Sequence, residues 1–132
     1  MRWVLALALG LFASTGAVAQ QKITPQEFLD RANGKTLTFT DRNSGSVVGV
    51  EQFLNRELSV WAQSDGRCSY GKISVRGELM CFLYEDFPNP DNCWLPLEAD
   101  GELLVLSTGS FQILMITQIN EKPVICEGAP LS

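Results

Sequence analysis

Residues 68–94 read CSYGKISVRGELMCFLYEDFPNPDNCW and hold three of the chain's four cysteines and five of its twelve aromatic residues. Two alternating runs, Arg67 to Val75 and Glu78 to Glu85, flank Arg76-Gly77, a two-residue hairpin signal. A tight turn there sets Val75 opposite Glu78, Lys72 opposite Cys81 and Cys68 opposite Glu85. Cys68 and Cys81 are then roughly 13 Å apart along the ladder at ordinary strand rise. A disulfide needs Cα atoms within about 7 Å, so this register disfavours a Cys68–Cys81 bridge. Cys81 and Cys93 instead bracket the loop Asp86 to Asn92, stiffened by Pro88 and Pro90. The expected pairs are Cys81–Cys93, with an irregular ladder around the loop, and Cys68–Cys126, tying down the tail. Four cysteines allow three connectivities, and the spacing favours this one without excluding the others.

The same two-residue rhythm extends on both sides of the hairpin. Thr36 to Thr40 alternates, Asp41 to Gly45 reads as a turn, and Ser46 to Phe53 and Glu57 to Gln63 read as strands. Beyond the loop, Cys93 to Glu98, Glu102 to Ser107 and Phe111 to Gln118 are separated by Asp100-Gly101 and Gly109-Ser110. The expected fold is all-β: an antiparallel meander of about eight strands, forming a small barrel or a strongly curved sheet.

One short helix precedes it, over residues 25–33. Thr24-Pro25-Gln26-Glu27 supplies an N-cap hydroxyl, a proline at the first helical position and a glutamate placed for a capping box. Phe28, Leu29 and Ala32 form its apolar stripe, and Gly34 is a natural stop. The helix should cover a barrel end or an outer face. Leu103 to Leu106 and Ile113 to Ile116 are apolar on both faces, and the helix is the simplest cover for the side turned away from the interior.

Arg2, an apolar run from Trp3 to Phe12 and the small residues Ala17-Val18-Ala19 read as a signal peptide, 1–19, cut before Gln20. The run is short for a membrane span and is broken by Ser14, Thr15 and Gly16. The expected product is one β-rich domain, 20–132, periplasmic or secreted, with no membrane insertion after signal cleavage. Without Arg2 the balance is nine basic to fifteen acidic side chains. With the basic residues scattered singly, nucleic acid and anionic lipid are poor partners. An even cysteine count in an exported chain reads as two disulfides.

The chain has no histidine, which removes Ser-His-Asp triads, His-zinc hydrolases and most imidazole acid–base schemes. Zinc sites usually pair cysteines two to four residues apart, and none are so spaced here. A reactive thiol lacks both an imidazole neighbour and a C-x-x-C pair. Glu85, Asp86 and Asp91 beside proline and asparagine read as a solvated loop rather than a catalytic carboxylate pair. Asp86, Asn89 and Asp91 lack the spacing of an EF-hand calcium loop. No cofactor and no metal site are expected, and the protein reads as a non-enzyme. Trp61, Tyr70, Phe82, Tyr84 and Trp94 remain, on neighbouring strands. Cross-strand packing is their ordinary role; a ligand pocket in a barrel mouth is the functional one.

Gly66-Arg67-Cys68-Ser69-Tyr70-Gly71, Cys81-Phe82-Leu83-Tyr84 and Cys93-Trp94 together resemble small exported bacterial proteins of unknown function. The resemblance covers about the middle quarter of the chain. It implies a compartment and a fold but no activity. The expected function is an exported, non-catalytic binding module of the bacterial envelope, recognising a small apolar ligand or a protein partner. The alternative is an inhibitor or structural accessory protein acting through the stapled loop 86–92.

Overall fold

A computed structural model describes residues 10–12 and 19–126; most of the expected leader lies outside them. A two-residue strand β1 (Gln21–Lys22) and the helix α1 (Pro25–Ala32) come first. Eight longer strands follow: β2 (Thr36–Asp41), β3 (Val47–Phe53), β4 (Leu58–Gln63), β5 (Cys68–Arg76), β6 (Leu79–Tyr84), β7 (Cys93–Ala99), β8 (Glu102–Ser107) and β9 (Ile113–Asn120). From β2 to β9 each strand pairs antiparallel with the next, and β9 returns to pair with β2. The meander therefore closes into an eight-stranded barrel, the arrangement that leaves no free edge among its strands. β1 was not legible in the sequence. It pairs with Leu97 and Glu98, beyond the two residues of β7 that β6 engages.

The central hairpin turns at Gly77-Glu78 rather than at Arg76-Gly77, with Arg76 opposite Leu79 and Ser74 opposite Cys81. Gly77 takes a φ of 58°. A two-residue turn of this kind needs a positive φ at its first central position, which glycine supplies without steric cost. The ladder is thus offset by two residues from the sequence reading. An offset of two preserves which side chains share a face, so Phe82 and Tyr84 remain on one face of β6 and Cys81 on the other.

Cys81 and Cys93 are direct cross-strand partners, Cα to Cα 4.1 Å, and they form one disulfide. No irregular ladder is needed. Cys68 and Cys126 form the other, at 5.5 Å, and no described cysteine is free. The tail reaches Cys68 by crossing the outside of the barrel. Lys122 O accepts from Thr36 Oγ1 on β2, and Val124 N donates to Gln52 Oε1 on β3. Two such bridges are those of a chain that matures in an oxidising compartment. No helix among the described residues is long and apolar enough to cross a membrane.

The helix closes one end of the barrel. Thr24 Oγ1 accepts from Glu27 N at 3.1 Å as the N-cap, and Gly34 follows at φ 71°. Phe28 meets Phe53 edge-on at 6.1 Å between ring centroids, and Arg31 bonds Glu98 and the carbonyl of Gly101. Phe28, Leu29 and Ala32 share one apolar cluster with Leu103 and Val105, but Leu104 and Met115 stand outside it. The expectation that the helix covers the outer face of β8 and β9 is corrected accordingly. Over the end it buries its whole apolar stripe, Phe28, Leu29 and Ala32, against the barrel's own core.

Candidate ligand-binding cavity

Two-residue alternation decides what enters the barrel. Opposed residues of an antiparallel ladder share a face. Glu51 therefore sits beside Trp61, and Trp61 beside Ser69, in one row. Phe53, Ser59, Gly71 and Tyr84 form the next row across β3 to β6. In that row β5 contributes only a hydrogen and β4 only a hydroxymethyl group, so the Tyr84 ring can lie across both strands. A Cβ at Gly71 would stand 2.8 Å from Tyr84 Cε1 and 3.0 Å from Ser59 Oγ. The ring spans this trough, and its hydroxyl donates to Glu51 at 2.8 Å from either carboxylate oxygen. Gly49 does the same for Trp61: a Cβ there would stand 2.4 Å from Trp61 Cζ2. Each glycine inside a strand marks a ring lying flat on the backbone.

These side chains do not fill the barrel. A cavity of about 190 Å³ is lined by Phe39, Glu51, Trp61, Phe82, Tyr84 and Trp94 among others, with Phe28 at its helix end. Phe28, Leu37, Phe53 and Leu103 seal that end, each at most 2 % exposed. Val48, Phe87, Asn92 and Gln112 line it at the opposite end, where they are half-buried or exposed. The mouth lies there. Val48 reaches the cavity from a bulge, since the register of β2 on β3 shifts between Phe39 and Thr40 and leaves it without a partner.

The loop 86–92 forms part of the mouth rather than projecting from it. The Phe87 ring leans on Tyr84 at 4.9 Å. Asn92 donates to the Phe82 carbonyl at 3.2 Å and accepts from Trp94 Nε1 at 2.9 Å. Asn89 Oδ1 accepts from the Asp91 amide at 3.0 Å, while Asp91 faces Arg76 at 3.8 Å. Across the mouth Gln112 Nε2 donates to Asp41 at 2.7 Å, the chief reason that carboxyl titrates below its usual range. The preceding residue, Phe111, was expected to start a strand. It instead holds a φ of 60° in the turn that closes β8 onto β9.

Among the described residues Glu51 is the one carboxylate the fold encloses, at 2 % exposure. Burial pushes its carboxyl up to about 7, against a weaker opposing pull from the Ser59 and Tyr84 hydroxyls. Burial, and then the negative charge of Glu51, push the Tyr84 hydroxyl well above its ordinary value. None of the ion pairs among the described residues includes Glu51. Ser59 Oγ, fully buried nearby, lies close enough to draw the Glu51 carboxyl down but makes no hydrogen bond of good geometry. A polar group held in this way is either a stability defect or a recognition element.

Of the residues singled out from sequence, Trp61, Phe82, Tyr84 and Trp94 converge on this cavity. Tyr70 does not: it lies on β5 between the inward Ser69 and Gly71, and points outward at 58 % exposure. Glu51, Ser59, Phe39, Phe87 and Gln112 were missed. The signal for Glu51 was its neighbour Gly49, an isolated glycine inside a strand on the same face. The fold and cavity together define a small closed antiparallel barrel with an apolar, one-ended interior that holds, among the described residues, a single buried acid. A comparison with protein-family models, curated proteins and solved structures finds no match for this chain.

Proposed function

We propose that the protein is an exported, non-catalytic binding module of the bacterial envelope that takes a small, mainly apolar ligand into its barrel. The observation that carries this reading is the cavity itself, sealed at the helix end and reaching the surface at the other. Cavities in barrel mouths with few, well-placed polar groups are the usual form of small-molecule sites. An apolar cavity of about 150 Å³ is enough for benzene, so the fitting ligand is of one-ring size. Signal cleavage before Gln20 and a periplasmic or extracellular location accord with both disulfides. Action through the stapled loop 86–92 is less favoured, because Phe87 packs inward on Tyr84.

The test is a titration of the oxidised protein with toluene, followed by amide and aromatic chemical shifts. Saturable shifts at Phe39, Trp61, Phe82 and Trp94 are expected. Shifts confined to the outer surface around Tyr70 and Leu83, or none, would overturn the reading.

A further inference from the structure

We infer that the ligand is a small organic ammonium ion, a primary amine on a one-ring or short aliphatic body, with Glu51 as its counter-charge. This rests on the reading of the barrel interior as a ligand pocket and adds the chemistry of the headgroup. A carboxylate offers about four acceptor positions, and Tyr84 brings one proton to the two oxygens of Glu51. The remaining acceptor capacity belongs to a side chain that lines the cavity. The described residues bring no cation to it, and an enclosed charge is costly unless it is paired.

The walls fit the same guest. Phe39, Trp61, Phe82, Tyr84 and Trp94 turn aromatic surface toward the space in front of Glu51, and ring faces attract ammonium groups. The rim adds long-range selection. The loops and strand ends around the mouth carry five carboxylates, Asp41, Asp65, Glu85, Asp86 and Asp91, against Arg42, Arg67 and the Arg76 that faces Asp91. A rim of that sign draws cations and turns away anionic ligands. A neutral ligand would enter but leave the carboxylate without a counter-charge.

Three probes of one size separate the possibilities: benzylamine, benzyl alcohol and toluene, titrated at pH 7.5 into the wild-type protein and Glu51→Gln. Benzylamine should bind wild type at least tenfold more tightly than benzyl alcohol, and the advantage should vanish in Glu51→Gln. Benzyl alcohol or toluene binding as tightly as benzylamine would overturn the inference while leaving the pocket reading intact. So would an amine preference that survives the substitution. Binding of none of the three would overturn both. Should Glu51→Gln not fold, the Glu51 carboxyl can be titrated by carbon-detected NMR in wild type. Saturating benzylamine must lower its midpoint, and an unchanged midpoint overturns the inference.

Discussion

Glu51→Gln is the most informative substitution for stability, because it removes a charge while leaving an acceptor for the Tyr84 hydroxyl. In the folded chain the Glu51 carboxyl titrates at about 7; its ordinary value is 4.5. Between these values the folded protein binds more protons than the unfolded one, so stability falls as pH rises through that window. Above pH 7 both states are ionised and the loss is complete. At 1.36 kcal/mol per pH unit, the shift corresponds to about 3 kcal/mol. Asp41, Asp65 and Glu121 have lowered pKa values and act in the opposite sense, at pH values below their ordinary carboxylate range. Urea unfolding followed by tryptophan fluorescence at pH 5, 6, 7 and 8 reads the effect. The wild type should lose about 2.5 kcal/mol across the series, and Glu51→Gln should be nearly flat and the more stable of the two at pH 8. Wild-type stability that is constant or rising from pH 5 to 8 would refute the argument, as would an equal slope in the variant.

Gly71→Ala should displace the Tyr84 ring, since the new Cβ would stand 2.8 Å from it. The expected cost is about 1–3 kcal/mol for overpacking, and most of it should disappear when the alanine is introduced into Tyr84→Ala, where the ring it would strike is absent. Equal costs in both backgrounds would show that the trough over β5 does not seat the ring. Replacing both Cys81 and Cys93 by serine should destabilise by about 3 kcal/mol in the chain-entropy account. It should also speed protease cutting between Tyr84 and Trp94, while cutting beyond Asn120 stays slow. Breaking Cys68–Cys126 should reverse that pattern, because the tail is held across β2 and β3 and ends at that bridge.

The strands were readable because each is short, alternates and ends in turn residues that few conformations accommodate. Asp100-Gly101, with both φ values positive, and the N-cap at Thr24 are local chemistry that sequence states directly. The cysteine pairs were also readable, since ladder geometry leaves few partners within reach. The hairpin turn was misplaced by one residue, and its ladder by two, because glycine marks a turn but not its place within it. Glu51 stayed hidden for a different reason. Val48, Val50 and Gln52 alternate with Gly49, Glu51 and Phe53, and the valines suggest that their own side faces the core. The bulge at Val48 and closure into a barrel reverse that preference, and both depend on partners far away in the chain. Tyr70 was misassigned as a ring among rings. Its place between Ser69 and Gly71, whose small side chains open the trough, makes it an outward residue.

The most direct test of the account is a crystal of the oxidised protein exposed to xenon under pressure. Xenon occupies apolar cavities of this size without needing a specific ligand. The account predicts a xenon atom inside the barrel, ringed by Phe39, Trp61, Phe82 and Trp94, with Tyr84 still bonded to Glu51. A barrel interior closed by those side chains, with xenon absent or found only on the outer surface, would contradict it.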